Sequence, residues 1–377
     1  MFDGKGLIVL ANKKKRILKY IILYGVSALI GIAIGVGGIA TDFFNDLTVI
    51  DITIFMISFV VWFLVGIVVH ELGHLVCGWA SGYTFGFFKL GSLSWFKEGN
   101  QIKFKRSKNF APGQCIMIPN EEEAEFKFLL YNLGGVMFNF LAGLAILLLW
   151  YILPSGHLLR NFAAAGIGLN LLLGVTNLVP LPSQANDGAN IFAALKSPDG
   201  KRGFYLLLLM NGQLLKGKPM KEMDETIVRM YGKLDAKNHL VGNALLFEIN
   251  YLLSTQQAEI ALEIAEEVNT DKYPTILKHL FNFSKLVIYV SYLPDFEKAK
   301  AIYEEKDFQN FLKMKLPNVV VVLPAYEFFV NNNHEKAKEL LVQAKEIVAN
   351  VPSKGERLGL MDYLEQLESE MKPKEEQ

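Results

Sequence analysis

The stretch ITIFMISFVVWFLVGIVVHELGH, residues 52–74, carries no charge before His70 and then presents His70, Glu71 and His74 within one helical turn. An apolar run of about 20 residues is long enough to cross a bilayer as a helix. On such a helix, residues four apart lie on the same face, so His70 and His74 can share one cation. Ionisable groups at membrane depth are costly and mark functional sites. The stretch therefore predicts a membrane span over about 52–79 with a metal site near its end.

Three further stretches are apolar enough to span: about 17–40, about 128–153 and about 161–181. Basic residues of short loops set the orientation. NKKKR (12–16) before the first span places the N-terminus in the cytoplasm. The next loop, TDFFNDLTVID (41–51), has three aspartates and no Lys or Arg, as an outer loop should. Residues 83–127 carry Lys89, Lys97, Lys103, Lys105, Arg106, Lys108 and Lys127, which makes that segment cytoplasmic. PSGHLLR (154–160), which includes His157, falls outside, and both termini are then cytoplasmic. The glycines of residues 17–40 suit close helix packing, and that span reads as an anchor without a catalytic part. No small-residue cleavage site follows the basic cluster, so it reads as uncleaved.

The composition narrows the class further. Hydrophobic residues make up 51% of the 377 and mean hydropathy is +0.26, both high for a soluble chain. Lys+Arg and Asp+Glu each number 38, so no net field points to nucleic acid. Cys77 and Cys115 are the two cysteines, which excludes a disulfide scaffold and a zinc ribbon.

A catalytic zinc takes about three protein ligands and keeps a position open. His70 and His74 supply two, and Glu71 beside them can act as general base towards water. The fourth span ends in TNLVPLPSQANDGAN (176–190) and runs in the same direction as the second, so the two ends share a depth. That places Asp187 within reach as the third ligand. Asn177 lies inside the membrane, where it either binds the substrate backbone or oxyanion or makes a helix–helix bond. Asn139 and Asn170 read as hydrogen-bonding glue between spans, and Cys77 as a small helix residue.

These motifs together resemble the site-2 protease family of intramembrane zinc metalloproteases, in the form of a Gram-positive-type member with C-terminal helical repeats. That family pairs an HExxH helix with a later N-x-x-P…D-G segment. Here the elements are His70-Glu71-x-x-His74, Asn177-x-x-Pro180 and Asp187-Gly188, with Gly135 and Asn139 matching its G-x-x-x-N. Residues 83–119 resemble its β-rich loop after the metal helix. The likeness covers roughly 52–190. It departs from the family where six residues separate Pro180 from Asp187, and where Asn186 precedes the aspartate instead of an apolar residue. The resemblance implies Zn2+ held by His70, His74 and Asp187, with Glu71 and Asn177 in catalysis.

The expected activity is endopeptidase cleavage of a membrane-anchored protein or peptide near the cytoplasmic face of the cell membrane, where water reaches the site. A substrate helix must first open, because its carbonyls are hydrogen-bonded. QIKFKR (101–106) and QCIMIP (114–119) read as extended segments of a small hairpin able to take an unwound strand by addition, or as a plain surface hairpin. Two other functions fit the same pattern. One is a non-catalytic relative that binds a peptide, as a self-protection factor does. The other is a scaffold with structural zinc, which four protein ligands would close.

The chain after residue 190 changes character. GFYLLLLMNGQLL (203–215) is too short to span. EIALEI from Glu259, EKAKAI from Glu297 and EKAKEL from Glu335 then recur with Ala261, Ala299 and Ala337 in step every 38 residues. Apolar helices are expected before them, at about 239–254, 276–291 and 318–330. Paired helices with a small residue at the crossing resemble tetratricopeptide-type repeats, which imply a concave surface for a cytoplasmic protein partner. The expected fold is thus an all-α polytopic membrane protein with a small cytoplasmic β-hairpin insert and a soluble helical-repeat domain. Its parts are a metalloprotease domain over 1–190, transition helices over 191–236 and a repeat domain over 237–372.

Overall fold

The computed structural model describes residues 49–99, 101–120, 123, 126–154, 158–181, 185–230 and 234–372. The expected anchor at 17–40, the basic cluster at 12–16 and His157 lie outside the described residues. The described chain is mostly helical, with one two-stranded sheet. It divides into two compact units, each described here by itself.

The first unit contains three long helices: α1 (Val49–Ala80), α2 (Phe128–Ile152) and α3 (Leu158–Leu178). Within them Met56–Ala80, Phe128–Ile152 and Leu159–Leu178 are long and apolar enough to cross a membrane. Twenty-five helical residues extend about 37 Å, against a hydrocarbon core of about 30 Å. Their outward faces keep large apolar side chains exposed, among them Phe59, Leu64, Leu144 and Leu148, as a lipid-facing surface does. α3 stops at Leu178, earlier than the apolar run suggests, because Pro180 ends the helix.

Small residues bring these helices into contact. A Cβ on Gly73 of α1 would stand 2.2 Å from the Gly134 carbonyl oxygen of α2, so the two backbones touch there. Trp62 of α1 lies over Gly166 of α3 and donates its indole N–H to the Phe162 carbonyl at 2.9 Å. Close approach at Gly73 turns the face bearing His70 and His74 onto α2. The same unit takes in Pro112–Cys115, a short piece of the second strand.

In the second unit, most of a hairpin of β1 (Thr84–Glu98) and β2 (Gln101–Ile118) packs with helices. Gly99 at its tip has φ +61°, a backbone state that glycine adopts without strain. The two extended segments expected at 101–106 and 114–119 belong to the single strand β2. Phe96 and Ile118 bury one face against Leu215 at the end of α5 (Pro198–Leu215); the element preceding α5 is α4 (Asp187–Lys196). Ser197 caps α5 by accepting from the Gly200 N–H, and Pro198 occupies its first turn.

The helices after residue 238 are α6 (His239–Ser254), α7 (Ala258–Glu267), α8 (Thr275–Val287), α9 (Phe296–Tyr303), α10 (Lys306–Leu312), an apolar helical stretch Pro317–Val330, α11 (His334–Val348) and α12 (Lys354–Glu370). Ala261, Ala299 and Ala337 are all fully buried. Some backbone features also recur at the 38-residue interval. α8 closes with a π-helical turn at Ile288–Tyr292, and the later helical stretch closes with one at Tyr326–Val330. Asp295 caps α9 from Lys298 N–H, as Asn333 caps α11 from Lys336 N–H.

Candidate metal centre

His70 and His74 sit on successive turns of α1, both buried. Their Nε2 atoms lie 3.2 Å apart. The Asp187 Oδ2 atom stands 3.1 Å from His70 Nε2 and 3.3 Å from His74 Nε2. Three donor atoms thus form a nearly equilateral triangle, and this His-His-Asp group can hold a metal ion.

Asp187 arrives there through the fold-back between α3 and α4. It is the first residue of α4. Asn186 ties the two helices together: its side-chain N–H groups donate to the Thr176 and Val179 carbonyls at 2.7 Å each, and its Oδ1 accepts from the Ala189 N–H at 3.0 Å. Gly188 lies so close to α3 that a Cβ would stand 1.9 Å from the Leu178 carbonyl oxygen. Glycine at 188 is therefore a steric requirement where the backbone passes α3, and Asp187 projects from the helix start.

Hydrogen bonds on the far side of each imidazole fix where its proton sits. His74 Nδ1 is 2.8 Å from the Tyr131 carbonyl oxygen, which can only accept, so His74 carries its proton on Nδ1. His70 Nδ1 is 2.8 Å from Asn139 Oδ1. The amide orientation is decided by the Asn139 nitrogen, which donates to the Gly66 carbonyl at 3.0 Å. Asn139 therefore offers His70 an acceptor, and His70 also holds its proton on Nδ1. Both Nε2 atoms then turn lone pairs towards Asp187 Oδ2, a buried atom with no hydrogen-bond partner. At 3.1–3.3 Å the three donor atoms repel one another unless a metal ion or a shared proton lies among them.

Gly135 closes one side of the triangle. A Cβ there would lie 2.6 Å from both Nε2 atoms. Glu71 is buried next to the ligands and faces the second strand, where a Cβ on Gly113 would lie 2.5 Å from its Oε1. The strand is held there by Tyr131, whose hydroxyl donates to the Cys115 carbonyl at 2.7 Å. Burial pushes the Cys115 thiol up from its ordinary value.

The sequence-predicted residues fall into two groups. His70, His74 and Asp187 come together, with Glu71 beside them. Asn177 donates an amide proton to the Leu173 carbonyl of its own helix at 3.0 Å, a bond within α3 and not the expected bond between helices. Asn139, read from sequence as interhelical glue, also orients a ligand, and the G-x-x-x-N spacing was the signal for it. The contribution of Tyr131 comes through its carbonyl, which leaves no mark in a sequence.

Comparison with known proteins gives no assignment: no protein-family model, no curated protein and no solved structure matches the chain.

Proposed function

We propose that the chain is an intramembrane zinc endopeptidase of the site-2 protease type, multi-pass in the cell membrane with both termini cytoplasmic. It cleaves a membrane-anchored protein or peptide near the cytoplasmic face. The observation that carries this reading is the triangle of lone pairs formed by His70, His74 and Asp187. Tetrahedral zinc with ligands at about 2.0–2.1 Å separates its donor atoms by about 3.3–3.4 Å. The edges here are 3.1–3.3 Å, so a small shift admits the ion. Two imidazoles and one carboxylate are a three-ligand donor set of the catalytic kind, with a position open for chemistry.

Bound there, zinc supplies Lewis acidity. The chain's own residues supply the rest. Glu71 takes a proton from the attacking water and passes it to the leaving amine nitrogen as the peptide bond breaks. Asn139 and the Tyr131 carbonyl hold the imidazoles in register. β2 belongs to a two-stranded sheet, so one of its edges can pair with an unwound substrate segment, and Gly113 lets that strand pass against Glu71. Asn177 has its second amide proton for the substrate backbone.

The fully buried alanines and recurring caps after residue 258 support a tetratricopeptide-like array that engages a cytoplasmic protein partner.

The test is the cleavage of membrane proteins in cells that carry the wild-type chain or Glu71→Gln. An uncut membrane protein should accumulate with the variant, and its turnover should fall by at least about 100-fold. An unchanged cleavage pattern refutes the general base and leaves a peptide-binding or self-protection role.

A further inference from the structure

Asn170 of α3 touches neither imidazole, yet it bears on one of them. It is fully buried, as is Asn139. Its side-chain nitrogen donates to the Gly166 carbonyl at 2.9 Å, and its Oδ1 accepts from Asn139 Nδ2 at 3.1 Å. A carbonyl oxygen can only accept, so Gly166 fixes the Asn170 amide with its oxygen towards Asn139. The Asn139 nitrogen then has two acceptors, the Gly66 carbonyl and Asn170 Oδ1, which use both of its protons. Only its oxygen is left for His70.

The alternative arrangement shows why the second acceptor matters. A flipped Asn139 amide would set its oxygen against two other oxygens inside an apolar bundle. It would also present an N–H to His70 Nδ1. That contact would move the imidazole proton to Nε2, the atom that must be bare to face a cation. With Gly66 alone, one mismatch opposes the flip; with Asn170 there are two.

We propose that Asn170 is a positioning residue for the metal centre: through Asn139 it keeps the His70 proton on Nδ1 and the Nε2 lone pair turned towards His74 and Asp187. A polar relay thus runs across all three described spans, from the Gly166 carbonyl on α3 through α2 to the ligand on α1. The consequence for metal rests on the zinc reading above, but the tautomer is a property of the metal-free chain.

The experiment uses the full chain in lipid nanodiscs, labelled with 15N-histidine. The His70 signals are identified by their loss in His70→Ala. In the metal-free wild type, the ring nitrogen shifts should report the Nδ1–H form. Asn170→Leu should populate the Nε2–H form and weaken Zn2+ binding about tenfold, measured against a competing chelator. Asn170→Asp, neutral in this apolar setting, donates its O–H to the Gly166 carbonyl and keeps its other oxygen towards Asn139, so it should stay close to wild type in both readouts. Should Asn170→Leu fail to fold, Asn170→Ser takes its place, since the shorter hydroxyl does not reach Asn139. An unchanged tautomer and affinity, with only a lower melting temperature, overturn the proposal and leave Asn170 as packing. A shifted tautomer in a chain whose wild type binds no Zn2+ supports the relay and refutes the zinc reading instead.

Discussion

At the scale of single residues, Gly135 shows how little room the centre leaves. A methyl there would lie 2.6 Å from both His70 Nε2 and His74 Nε2, inside the space a cation needs. Gly135→Ala should therefore lower Zn2+ affinity by at least about 100-fold, the upper range for loss of an outer-shell partner. Chelator competition on the purified chain checks this; unchanged affinity would show that the ion sits elsewhere. The three residues that could hold a metal were legible in the sequence. His70 and His74 announce themselves by spacing, and Asp187 by sharing a membrane depth with them. The Gly135-x-x-x-Asn139 spacing marked Asn139 without giving its bond to His70, and the role of the Tyr131 carbonyl was not legible at all. Whether a buried asparagine bonds a helix or a ligand depends on the rotation of α2 about its axis. That rotation is set by the Gly73–Gly134 backbone contact, which no local pattern encodes.

At the scale of elements, nothing in the residue pattern explains how six residues between Pro180 and Asp187 still deliver the carboxylate. The structure answers with Asn186, which stands where an apolar residue was expected and hydrogen-bonds both sides of the fold-back. The helices α6 and α8 begin close to where periodicity placed them, but α8 gives way to a π-helical turn at Ile288, which apolar spacing alone does not distinguish from continuing α-helix. α6 also carries a pH dependence. His239 is its first residue, and burial holds its imidazole down to about 4 from an unfolded value near 6.5. The helix N-terminus disfavours a cation in the same sense. A depressed folded value means the unfolded chain binds more protons between the two. The contribution of neutral His239 is complete above pH 6.5 and is lost as pH falls towards 4, on the order of 2 kcal/mol for a group still partly exposed. Melting temperatures of the full chain across that window should fall less steeply in His239→Gln than in the wild type. Parallel curves would contradict the assignment.

At the scale of the whole molecule, two compact units with different surfaces share one polypeptide. The first exposes apolar side chains around three helices long enough to cross a membrane and connects His70, His74, Asp187, Asn139 and Asn170 into one buried polar set. The second buries its apolar residues conventionally, with Val241, Ile249 and Phe281 in one cluster and Leu286, Phe308 and Leu364 in another. Polar groups inside an apolar helix bundle need partners, and here they converge on a His-His-Asp group that can hold a metal ion. The most direct test is the zinc content of the purified full chain, by elemental analysis, beside that of Asp187→Ala. One zinc per wild-type chain, lost in the variant, is the predicted result. A wild type without zinc, or an Asp187→Ala chain that keeps it as tightly, would contradict a shared centre built from α1 and the start of α4.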